Sequence, residues 1–203
     1  DPERVAAAQA FLGPRVGGGT NLYFTELNRF RPTSLGFISF SVNPQVHGWD
    51  DRTVMQNAWT LGPIAAEARR LYPSSHLELS PLTLKPRWNP NATAPELDFS
   101  NTRLPSSVDS RQCTSFAAAW TVLALSALCG QGLDALTLFA ATGWHGVLER
   151  AEGTPSPEDF SSTPGAPYPV YSALRLLAGQ RASLPCTSSH PDVVGALAFP
   201  DGR

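Results

Sequence analysis

The 203-residue sequence is 42% hydrophobic, enough for a packed core, but only 16% charged, with a formal net charge of −2. That balance gives no electrostatic case for binding nucleic acid or an anionic membrane, and no apolar run approaches the length of a membrane span. The length suits one large domain or a piece of a larger one.

Asp1 to Leu12 reads as a helix, with Asp1 as a cap and Pro2 in the first turn. The next segment, GGGTNLYFTELNRFRP from Gly17 to Pro32, carries the most information. Leu22, Tyr23 and Phe24 follow the glycines as an apolar-aromatic run, which predicts a buried strand. Glu26, Asn28 and Arg29 then fall at its carboxyl end, where α/β enzymes keep their chemistry. The plainer alternative is a polar loop in which Arg29 simply pairs Glu26.

Phe37 to Val42 predicts a second strand, closed by Asn43, Gln45 and His47. A helix follows from Asp51 to Leu71, capped by Asp50 or Asp51, which Gly62-Pro63 should kink or divide. His76 to Leu84 predicts a third strand ending in Lys85, Arg87, Trp88 and Asn89. Glu78, polar and mid-strand, reads as an edge or barrel-facing residue with a partner.

A long loop from Pro90 to about Ser107 has the length of a functional lid or a disordered segment. Asp109 then caps an apolar helix, Arg111 to Cys129, ended by Gly130 or Gly132. Ala135 to Ala141 predicts a fourth strand closing on Thr142, Gly143, Trp144 and His145. Residues 150 to 169 form a second loop, Tyr168 to Ala178 a helix, and VVGALAFPDGR a β-like run with a turn at Asp201-Gly202.

Strands alternating with helices define an α/β fold of parallel βα units. Four such units with polar strand ends give about half of an eight-stranded barrel. A flavodoxin-like open sheet competes, but no Gly-rich phosphate turn opens a helix after a strand.

In a barrel the strand ends converge at one mouth. Glu26, His47 and His145 lack HxH or HExxH spacing, so the expectation is no metal and no cofactor. Tryptophans stack on sugar rings, amides bind hydroxyls, and cations bind carboxylates. Glu26 is then the general acid/base, with His47 or His145 as a second proton carrier. Asn28, Arg29, Asn43, Gln45, Lys85, Arg87, Asn89 and Trp144 are the substrate-binding candidates. His76 and His190 lie off the mouth and read as structural. The three cysteines, Cys113, Cys129 and Cys186, are odd in number and share no metal-type spacing. Reduced thiols and no leader-like opening point to the cytoplasm.

Four segments together resemble the barrel domain of the D-apionate lactonase family, which is distantly similar to clan-A glycoside hydrolases. They are GGGTNLYFTELNRFRP, FSVNPQVHGWDD, SPLTLKPRWNPNA and SFAAAWTVLALSALCGQGLDALTLFAATGWHGVLE. PVYSALRLLAG and VVGALAFPDG resemble the last barrel helix and the start of a trailing β-domain. The resemblance implies the later half of a TIM barrel over residues 1–190, with a C-terminal β-segment over 191–203. It implies ring opening of a sugar-acid lactone by water. Glu26 matches the acid/base position of the related clan, while Ala140 stands where the family pattern places a second Glu. A two-carboxylate glycosidase mechanism therefore lacks its nucleophile. The other readings are a related-clan glycosidase and a non-catalytic carbohydrate-binding or scaffold fragment. A half barrel leaves open edges, so the chain should form a homodimer or pack against further barrel strands.

Overall fold

The computed structural model describes residues 2–33, 35–87, 104–180, 183–184, 186, 188–190 and 194–200. Helix α1 (Pro2–Leu12) leads into β1 (Gly18–Thr20) and α2 (Phe24–Phe30); β2 (Phe37–Val42) is followed by α3 (Asp51–Asn57) and α4 (Leu61–Leu71). After β3 (His76–Leu82) come α5 (Ser115–Leu128), β4 (Ala135–Leu136) and α6 (Pro169–Leu177). The four strands form one parallel sheet in the order β1-β2-β3-β4, with Ile38 opposite Leu77 and Leu79 opposite Leu136. Chain order and spatial order coincide, which is the winding of a βα barrel and not the reordered sheet of a flavodoxin-like fold.

Ile38, Phe40 and Val42 of β2 are buried, as are Leu77, Leu79 and Leu82 of β3. The Phe24 ring of α2 meets Phe40 edge-on at 5.7 Å, so this buried face looks toward the helices. The alternate residues Ser39, Ser41, Glu78 and Ser80 lie on the other face and are half-exposed. The partner expected for Glu78 is His76, whose Nε2 stands 3.2 Å from Oε1. Helix α5 buries Ala117, Trp120, Thr121, Ala124 and Leu128, a stripe at helical spacing.

Several elements depart from the sequence reading. The run Leu22–Phe24 is not a strand. The glycines themselves form β1, and Phe24 opens helix α2, which buries Leu27. The cause is close approach: a Cβ on Gly19 would stand 1.7 Å from the Ser39 carbonyl oxygen. A strand made of glycines carries no side-chain alternation for a sequence pattern to report. The helix after β2 is divided, as Gly62-Pro63 implied, but by a 3-10 turn at Ala58–Thr60, which lets Pro63 fall in the first turn of α4.

Asp109 caps a short 3-10 turn, Ser110–Cys113, rather than the long helix; Thr114 caps α5 through the Phe116 N–H. The fourth strand is shorter than expected, because after Thr137 the chain leaves the ladder and curls into the Thr142–Gly146 turn. Trp88, Asn89, Asp201, Gly202 and most of the Pro90–Ser107 loop lie outside the described residues. No described helix is long and apolar enough to cross a membrane.

Candidate active site

A cleft opens at the carboxyl ends of β3 and β4. Thr83, Lys85 and Arg87 line it from the β3 side, Phe139, Trp144 and His145 from the β4 side, and Ser107, Asp109 and Gln112 from the segment before α5. The cleft is shallow and open to solvent at its mouth.

The TGWHG turn delivers Trp144 and His145. Gly143 has a φ of +77°, which a side chain would strain, and a Cβ on Gly146 would stand 2.6 Å from the Thr142 carbonyl carbon. Gln112 Nε2 donates to the Gly146 carbonyl at 2.8 Å and holds the turn from below. Trp144 is fixed at its edge, where Nε1 donates to Thr154 Oγ1 at 2.7 Å, and its ring meets Phe160 at 6.5 Å.

His145 Nε2 stands 3.1 Å from the Ser107 carbonyl oxygen and 3.2 Å from its hydroxyl. A carbonyl only accepts, so the contact places the ring proton on Nε2 and the lone pair on Nδ1, which has no hydrogen-bond partner among the described residues. Burial and the neighbouring Arg87 cation hold the imidazole below its ordinary pKa, outweighing the opposite pull of the Ser107 bond. At neutral pH the ring is therefore neutral and able to accept a proton. Arg87 also reaches the loop directly, its Nη2 donating to the His145 carbonyl at 3.4 Å.

The carboxylate in the cleft is structural in its bonding. Asp109 Oδ1 accepts from the Arg111 N–H and Nε, both at 2.9 Å, and Oδ2 from Arg111 Nη2 at 2.8 Å and Gln45 Nε2 at 2.5 Å. Burial would raise its pKa, but the Arg111 bonds outweigh burial and hold it below the usual range. With both oxygens occupied, Asp109 has little capacity left to take a proton from substrate. Gln45 also donates to the Leu84 carbonyl at 2.6 Å, and Asn43 Oδ1 accepts the Gln45 N–H at 3.0 Å. These two predicted binding residues thus brace the cleft floor from behind.

Of the predicted site residues, Lys85, Arg87, Trp144 and His145 come together in the cleft, with Asn43 and Gln45 beneath it. Glu26 does not line it. It stands in the first turn of α2, where Arg29 Nη1 donates to its Oε1 at 2.5 Å, the plainer pairing weighed from the sequence. Asn28 accepts from Arg31 through both its carbonyl and its side chain, at 3.0 and 3.2 Å. His47 is exposed on the β2–α3 connection. Asn89 lies outside the described residues. Sequence reasoning missed Ser107 and Arg111 as parts of the site, and took Asp109 for a helix cap alone. The Asp-x-Arg spacing ahead of an apolar helix was the available signal. Among the described residues, no three His, Cys, Asp or Glu side chains group to hold a metal ion.

A singly wound parallel sheet with a polar cleft at its strand ends defines a βα-barrel domain. A family model described as "D-apionate lactonase, TIM barrel domain" matches residues 3–182, and the chain belongs to that family. It is also 33% identical over 198 residues to the D-apionate lactonase of Brucella anthropi, covering 95% of this chain. The chain spans 31% of that relative's length.

Proposed function

We propose that the chain contributes the cleft in which a lactone hydrolase opens a sugar-acid lactone. The observation that carries this reading is the grouping of the His145 imidazole, held through Nε2 at the Ser107 carbonyl, with two cations, Lys85 and Arg87, in one cleft. The reaction turns a neutral ring ester into an anionic hydroxy acid. His145 Nδ1 takes a proton from water as that water adds to the lactone carbonyl. The ring C–O bond then breaks, the imidazolium returns the proton to the leaving ring oxygen, and the new carboxyl group releases its own proton to solvent. Lys85 and Arg87 stabilise the oxyanion as it forms and the carboxylate that follows. Trp144 offers a face for the sugar ring.

This reading moves the main proton carrier from Glu26 to His145, because Glu26 is engaged by Arg29 and does not line the cleft. His47, exposed on the β2–α3 connection, takes no proton-transfer step in this reading. The name of the Brucella anthropi relative supports a sugar-acid lactone as substrate class.

The test is aldonolactone hydrolysis by the full-length protein and two variants. His145→Gln should lose about 100-fold or more in kcat, the usual scale for a general base. Glu26→Gln should stay within a few-fold. A Glu26→Gln collapse with an active His145→Gln variant would reverse the assignment.

A further inference from the structure

Behind the loop that carries Trp144 and His145 lies a buried polar cluster that the proposed chemistry does not use. Glu149 is 3% exposed. Its Oε1 accepts the Arg150 N–H at 2.7 Å, and its Oε2 accepts the hydroxyls of Ser162 and, at 2.9 Å, Tyr168. The main chain of Glu149 is also held, its N–H donating to the Ala166 carbonyl at 2.9 Å.

Tyr168, equally buried at 3%, spans the loop. Its N–H donates to the Val147 carbonyl at 2.9 Å, and its hydroxyl lies 3.4 Å from the Gly143 carbonyl. The single hydroxyl proton favours the charged acceptor, so the Glu149 bond is the strong one and Gly143 the weaker contact. On its other side the Tyr168 ring meets Phe160 at 5.9 Å, and Phe160 meets Trp144 at the cleft wall.

Both oxygens of Glu149 accept hydrogen bonds, and it does not line the cleft, so it has no direct part in the proposed chemistry. We propose that Glu149 and Tyr168 are positioning residues. Their buried bond fixes the Tyr168 ring, and Tyr168, through Phe160 and the loop backbone, fixes Trp144 and His145 at the cleft. The assignment rests on the cleft being the lactone-opening site, so its test includes a readout independent of turnover.

Tyr168→Phe keeps the aromatic column and removes the hydroxyl. The measurement is the NMR titration of the His145 ring in full-length protein labelled at histidine, assigned with His145→Gln. Lys85, Arg87 and Asp109, the charges that face the same cleft, are unchanged in the variant. In the wild type His145 should titrate below the ordinary value of about 6.5. In Tyr168→Phe the midpoint should rise toward that value as the loop loosens, and kcat should fall about tenfold or more. If Tyr168→Phe does not fold, Ser162→Ala, which removes another donor to Glu149 Oε2, should give the same shift. An unchanged His145 titration and unchanged kcat in the folded variant would overturn the assignment. A shifted titration in a protein without lactone turnover would sink the functional reading and leave the positioning role standing.

Discussion

Asp109 is 5% exposed, and its Arg111 partner is fixed in turn by Asp51 at 2.8 Å and by the Trp49 carbonyl at 3.1 Å. The Arg111 guanidinium also lies 4.7 Å over the Phe116 ring. Asp109→Ala leaves Arg111 paired through Asp51 and removes an acceptor from the buried Gln45 amide, which should lower unfolding stability by about 1–3 kcal/mol in urea titrations. The direction with pH follows from the lowered pKa of Asp109. Its contribution is complete above the ordinary carboxylate value of about 3.9 and fades as pH falls through the lower folded value. Asp109→Asn should flatten the stability–pH curve in that acid window; an unaltered slope would remove Asp109 from the account.

At the scale of elements, the β1–β2 contact carries the sharpest constraint. Gly19 pairs with Ser39 so closely that a Cβ has no room. Gly19→Ala should force the strands apart and cost about 1–3 kcal/mol, the range for overpacking. A variant as stable as wild type in thermal melts would show that the approach is looser. The same contact explains what could be read from the sequence. FISFSV alternates in burial along its length, so β2 was legible to the residue. Helix α6 and the divided helix after β2 were also legible, from periodicity and Gly62-Pro63. Strand β1 was not, because its glycines show no alternation and the aromatic run behind them has high β propensity. Lys85, Arg87 and His145 could be placed near the cleft from sequence because they trail the apolar runs read as strands. Ser107 and the Asp109–Arg111 pair were not legible because only the folded chain brings Ser107 and Asp109 to the cleft.

Across the whole molecule, the sheet is open. Among the described residues β1 and β4 each pair along one edge only, and Ser39, Ser41, Glu78 and Ser80 leave the sheet's other face half-covered. Phe11, Leu12 and Phe30 are also strongly exposed, at 88%, 69% and 74%. Open edges and apolar patches of this kind recruit strands or copies. The isolated 203-residue chain should therefore self-associate, whereas the same residues within a longer polypeptide should be covered by further barrel strands. A monodisperse monomer of the isolated chain by light scattering would contradict this.

The claim on which the functional account turns is that a neutral His145 in the cleft takes the proton when the lactone opens. Burial and Arg87 lower its pKa, so activity should persist below the ordinary imidazole value of about 6.5 and decline only as pH falls through the lower folded value. The most direct measurement is kcat/KM for an aldonolactone against pH, for the full-length protein and its His145→Gln variant. The wild type should show an acid limb with a midpoint below about 6.5 that disappears, with most of the rate, in the variant. An acid limb of the same midpoint and height in both proteins would contradict it.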